Sequence, residues 1–176
     1  MLDCRHSRYL LSVLEAIMNK ITLINKIVIR LIEELNGYRM AAQLAHAEAT
    51  HEQSKAENKY DTRGLEASYL AHGQARQMQE MEGAISAFKN MDTRRFAAWE
   101  PIGVGALVEL EHDAERTVFF IATRAGGMEV KHEKRTVLVI TSQSPMGEQI
   151  QGKKQGTLLQ LSLGGTVKQY RVVKVS

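Results

Sequence analysis

The residues best suited to chemistry lie in one polar stretch, His51-Glu52-Gln53-Ser54-Lys55-Ala56-Glu57-Asn58-Lys59-Tyr60-Asp61. It carries the carboxylates Glu52, Glu57 and Asp61. Taken alone, each is a solvated surface charge. His46, His51 and His72 lie on or beside this region, but a helical metal site needs histidines at i and i+4, and these three offer no such pair. No nucleophile–base constellation, glycine-rich phosphate loop or aromatic platform for nucleic acid is visible. Whatever the polar stretch does therefore depends on what holds it and what it is held against.

Two helical seams hold it. Ile24, Val28, Leu31, Leu35, Tyr38, Ala42, Ala45 and Ala49 alternate in steps of four and three, a heptad pattern. Ala67, Ala71, Ala75, Met78, Met81, Ile85 and Phe88 form a second seam. Folding the chain back near Asn58 sets Val28 against Phe88, Leu31 against Ile85, Leu35 against Met81 and Tyr38 against Met78. Ala45 then meets Ala71, so the hairpin is expected to narrow toward a polar tip. Each arm has about 30 residues and spans about 45–50 Å at 1.5 Å per residue. Both prolines, Pro101 and Pro145, fall outside the first 100 residues, which favours long helices there. Gly37, Gly64, Gly73 and Gly83 each oppose helix by about 0.8–1 kcal/mol.

Composition narrows the class. The chain has 176 residues, 24% charged and 44% hydrophobic, which are globular values. A net charge of +3 is too small an excess to argue for nucleic acid without a basic face. The single cysteine, Cys4, excludes an internal disulfide and a cysteine-based zinc site, and suits a reducing, cytoplasmic setting. No apolar run reaches the roughly 18 residues of a membrane span. Glu15 cuts short the apolar run after Arg8, so no signal peptide is expected. The seam begins just after Met18, so residues 1–17 read as a mis-assigned extension or a short extra turn of helix.

After Met91-Asp92-Thr93 the period changes. Six short stretches rich in β-branched and aromatic residues follow: Val104–Leu110, Arg116–Ala122, Met128–Lys131, Val137–Thr141, Leu158–Leu163 and Thr166–Val175. Ala125-Gly126-Gly127 and Leu163-Gly164-Gly165 read as tight hairpin turns. Ser144 reads as an N-cap with Pro145 at the first helical position, and Gly152 ends that helix near Gln151. The expectation is a mainly antiparallel sheet with one short helix.

The run Gln143-Ser144-Pro145-Met146-Gly147, with Ile150-Gln151-Gly152-Lys153-Lys154-Gln155-Gly156 after it, resembles the C-terminal domain of the Gre family. These are bacterial factors that bind RNA polymerase. The closing Lys168–Val175 looks like the family's last strand, and the helical hairpin has its counterpart there. The resemblance covers roughly Met18 to Ser176. It implies an α+β fold: an N-terminal antiparallel coiled-coil hairpin over residues 18–91, then an FK506-binding-protein-like domain over 101–176.

It also implies a function. The hairpin of such factors enters the polymerase's secondary channel, where tip acids help hold the polymerase's second magnesium ion and orient the water that attacks back-tracked RNA. Glu57-Asn58 match the family's Glu-Asn, but the family's first acid falls on Ser54, whose hydroxyl carries no charge. Glu52 and Asp61 are the nearby carboxylates able to compensate. Lys59 precedes Tyr60 where the family has an acid. Gln143, Ser144 and Pro145 match the contact on the channel rim; Gln149 and Thr157 replace the family's alanine and acid. The implied protein is a monomer with no cofactor of its own. It regulates polymerase rather than being an enzyme, and meets transcript and DNA only within the elongation complex. The alternatives are a channel-binding regulator without cleavage stimulation, a prolyl isomerase or chaperone, and a coiled-coil adaptor. An isomerase pocket needs clustered aromatics, and this domain offers only Phe119, Phe120 and Tyr170.

Overall fold

The computed structural model describes residues 4–49, 63–163 and 166–176. The fold is α+β, with a helical N-terminal region followed by a mixed sheet. Two long helices come first: α1, Cys4–Ala49, and α2, Arg63–Lys89. The chain divides into two compact units, one of residues 28–86 and one of residues 1–27 with 87–176.

In the helical unit, Val28, Leu31 and Leu35 are buried, as the heptad steps require. Met78, Met81 and Ile85 are half-buried. Farther along, burial fades. Tyr38 is 36% exposed, and Ala45, Ala71 and Ala75 are all exposed. The alanine half of the seams therefore buries little apolar area, as small side chains must. Tyr38 lines a shallow pocket with Tyr69, Leu70 and Gly73. An exposed ion pair, Arg39 to Glu82 at 2.7 Å, links α1 to α2.

The other unit is built on six strands: β1 (Leu107–His112), β2 (Glu115–Ala122), β3 (Glu129–His132), β4 (Arg135–Thr141), β5 (Leu158–Leu163) and β6 (Thr166–Val175). Their order is β3-β4-β2-β1-β6-β5. Neighbours run antiparallel except β2 and β4, which are parallel. That exception corrects one expectation. Ala125-Gly126-Gly127 does not turn a hairpin, because β4 lies between β2 and β3; the segment is a connection to the sheet edge. The expected turn after Leu163 is borne out, since β5 and β6 pair antiparallel with Leu163 opposite Thr166. Two further hairpin turns are Asp113-Ala114, with φ of 48° and 66°, and Glu133-Lys134, with φ of 47° and 63°. Both are two-residue turns of the primed kind, built without glycine.

One face of the sheet carries the main core: Val108, Leu110, Phe119, Ile121, Ile140, Leu161 and Val172, with Phe96, Ile102 and Ile150 packed in. On the other face Phe120 stacks against Phe88 of α2, ring centres 6.4 Å apart. Leu23 and Ile27 of α1 are fully buried in this unit. The same stretch of α1 sends Lys26 Nζ to the carbonyl of Lys131 at 3.1 Å, and Asn19 Oδ1 meets His132 Nε2.

Candidate partner-binding site

The short helix α3, Pro145–Ile150, is framed by the chain before and after it. Ser144 is its N-cap, with extended φ and ψ of −73° and 153°. Its Oγ accepts from Gly147 N at 3.1 Å and donates to the carbonyl of Thr141 at 2.7 Å. One hydroxyl thus satisfies an orphan amide and ties the cap to the end of β4. Proline at the first helical position gives up no needed hydrogen bond. Gly147 is buried, and a Cβ there would lie 1.9 Å from the Thr141 carbonyl oxygen, so only glycine lets α3 approach β4 this closely. Met146 packs against the core, and Ile150 is wholly buried within it.

The helix ends as firmly. Gly152 takes φ of 77° and donates to the Ile102 carbonyl at 2.8 Å, while Ile102 N donates to the Lys153 carbonyl at 2.7 Å. Gly156, at φ of 88°, donates to Val172 O at 2.8 Å. Most of the Ser-Pro…Gly-Lys…Gly pattern is therefore occupied with holding this corner together. Two residues at its start are not. Gln143 and Pro145 are exposed, one on each side of the half-buried cap, and Gln149 Nε2 donates to Pro145 O at 2.8 Å. A rigid corner presenting an amide and a pyrrolidine ring can bind a protein surface.

The expected tip residues Glu52, Glu57 and Asp61, with Ser54, lie outside the described residues, as does His51. His46 and His72 are exposed. Among the described residues no group of histidines, cysteines and carboxylates is arranged to hold a metal ion. No helix among them is long and apolar enough to cross a membrane.

A cleft of about 880 Å³ lies beside the base of α1, lined by Lys26, Glu109, His132, Arg135 and Lys174 among others. Its charges answer one another. Glu109, 8% exposed, accepts from Arg116 at 3.1 Å and from Arg135 at 2.8 Å, and it faces Lys174 across the β1–β6 ladder. Burial holds the His132 imidazole below its ordinary pKa, Glu133 opposing and Lys26 assisting. Its Nδ1 is buried without a partner. Phe119 and Phe120 are buried on opposite faces of the sheet, Tyr170 packs against His112 with tilted rings 5.1 Å apart, and none of the three lines the cleft. The residues an isomerase pocket would use are thus committed elsewhere.

The linker between α2 and β1 holds what sequence reasoning missed. Arg94 reads from sequence as a solvated charge, yet its guanidinium lies 4.1 Å from the Phe96 ring centre and Nη1 reaches Glu100 Oε1 at 3.1 Å. Lys20 Nζ donates to the Arg94 carbonyl at 2.6 Å and sits 4.9 Å from the same ring centre. Lys20 is 1% exposed, and burial, with Arg94's charge adding to it, lowers its pKa to about 8; Asp92 opposes them. The signal was present: Lys20 falls one turn before Ile24 on the buried seam, where a lysine needs a reason.

Among solved structures, the chain is similar to GreA factor homolog 1 (Gfh1) of Thermus thermophilus, 23% identical over 85% of this chain and 94% of that one, TM-score 0.37. Its structural neighbours are Gre-type factors. Gfh1 of Thermus aquaticus is 26% identical over 83% of this chain and 91% of that one, TM-score 0.37. The transcription elongation factor GreA/GreB of Nitrosomonas europaea is 18% identical over 56% of this chain and 78% of that one, TM-score 0.36. A scan of family models returns no match, and no curated protein sequence matches the chain.

Proposed function

We propose that this protein is a transcription elongation regulator that binds RNA polymerase at the secondary channel, α1 and α2 forming an antiparallel coiled-coil hairpin that enters it. The sheet unit, read as an FK506-binding-protein-like domain, grips the rim. The observation that carries this reading is the α3 corner, where Ser144 is hydrogen-bonded to Thr141 and Gly147, Gly147 is buried, and Gln143 and Pro145 are exposed. These are the residues through which the sequence resembles Gre factors. The protein acts as a monomer, and the polymerase owns the active site and its magnesium. Glu57 is the tip residue assigned to that ion, with Glu52 or Asp61 supplying the second charge.

A second reading is favoured by Ser54, which puts a neutral hydroxyl where a second acid is needed. In it the protein occupies the channel without stimulating cleavage.

Both are tested on one preparation. Immobilised native protein should retain core polymerase, and Gln143→Lys with Pro145→Ala should weaken retention while leaving the thermal midpoint unchanged. Equal retention removes the rim assignment. Cleavage of stalled complexes at several magnesium concentrations then separates the readings. Stimulation that Glu57→Ala abolishes and Ser54→Asp raises supports cleavage. A native rate equal to polymerase alone, with binding intact, leaves the regulator reading.

A further inference from the structure

Trp99 is the only tryptophan in the chain and is 75% exposed. Single exposed apolar residues are ordinary on protein surfaces. This one differs in how it is held. Glu100 N donates to the Ala97 carbonyl at 3.0 Å, and Ala97 N donates to Glu100 Oε2 at 2.6 Å, so the turn carrying Trp99 is closed from both sides. Glu100 is fixed in turn by Arg94, and Arg94 by Phe96, by Asp92 Oδ1 accepting from its amide at 2.9 Å, and by buried Lys20. Pro101 is exposed beside it, and Val104 is 39% exposed. The fold orders this segment and leaves its largest apolar side chain in water.

We propose that Trp99 is an anchor for the protein partner that the Gln143–Pro145 corner binds; this rests on the polymerase reading above. A preordered aromatic loses little conformational freedom on binding, which is why tryptophan is enriched among residues that dominate interfaces. The reach fits one interface. Ile102 is hydrogen-bonded to Gly152 and Lys153 just beyond α3. Trp99 lies three residues before it, so Trp99 and Pro145 are at most about 30 Å apart along the backbone. A standard interface buries about 800 Å² per partner, a patch of about that width. The charges favour protein over nucleic acid. Asp92 and Glu100 balance Arg94 and Arg95 on the segment, leaving no cationic excess for phosphates.

The test uses full-length protein with 5-fluorotryptophan, whose single fluorine resonance belongs to Trp99, together with core polymerase. Adding polymerase should shift or broaden that resonance, and Trp99→Ala should weaken polymerase binding at least tenfold without lowering the thermal midpoint. If native protein binds polymerase while the resonance stays put and Trp99→Ala binds equally well, the anchor is refuted and the polymerase reading survives. If native protein does not bind polymerase, both fall. A resonance that answers a single-stranded oligonucleotide but not polymerase also overturns the proposal. Should Trp99→Ala fold poorly, the fluorine measurement on the native sequence decides alone.

Discussion

Lys20 shows how one side chain can organise a segment distant in sequence. It is buried, it donates to a backbone carbonyl 74 residues away, and it helps fix the Phe96 ring. Its lowered pKa has a signed consequence. Below about pH 8 the amine is protonated in both the folded and unfolded states, so the cost of burying the charge is felt in full. Between about 8 and the ordinary 10.5 the folded amine sheds its proton while the unfolded one keeps it. The unfolded state then binds more protons, and stability rises with pH across that window. The slope is at most about 1.4 kcal/mol per pH unit. Urea unfolding at pH 7.5, 8.5 and 9.5 should show that rise in the native protein, and Lys20→Met should remove it. Parallel pH profiles for the two proteins would mean that the amine is not desolvated in solution.

At the scale of elements, strands were easily read and turns only in part. All six apolar runs are strands, most within two or three residues of the expected ends, and α3 begins and ends as Ser144, Pro145 and Gly152 signal. β-branched alternation and cap chemistry are local, so the sequence displays them. The pairing of β2 with β4 is not local, and glycine drew attention to the wrong connection. Gly164-Gly165 did mark the β5–β6 hairpin, but two other hairpin turns carry Ala114 and Lys134 in the left-handed region, at φ of 66° and 63°, with no glycine to mark them. A Cβ in that region costs roughly 1–2 kcal/mol, partly offset by glycine's greater freedom when unfolded. Lys134→Gly and Ala114→Gly should each therefore stabilise the protein by about 0.5–1 kcal/mol in urea titrations. A loss of stability in both would show that those turns adopt another form. The helical seams show as burial at Val28, Leu31 and Leu35 and fade toward the alanines, because burial follows apolar area rather than pattern. At the candidate site the corner was legible from its cap and glycines, while the linker brace was not, since it depends on a lysine and an arginine meeting across the chain.

For the whole molecule, the notable fact is that the sheet unit is not continuous in sequence. It takes residues 1–27 and 87–176. Phe88 covers Phe120, and Asn19, Lys20 and Lys26 all bond to partners beyond residue 90. A fragment of residues 101–176 keeps every strand but loses these covers. Removing one buried phenylalanine alone typically costs about 3–5 kcal/mol. The fragment should therefore bind a hydrophobic dye and unfold at markedly lower urea than the full chain. A fragment as stable as the whole would show that the helices contribute little to the sheet.

That discontinuity also sets a schedule during synthesis. Asn19 must wait for His132, 113 residues later, before it has anything to hold. At about 5–20 residues per second the ribosome needs on the order of 6–20 s to make that partner. Throughout that interval Leu23 and Ile27 are on a nascent helix whose covering strands do not yet exist. Every message cut short before His132 thus yields a chain whose apolar first helix lacks the partners of Asn19 and Lys26, a form open to chaperones and proteases.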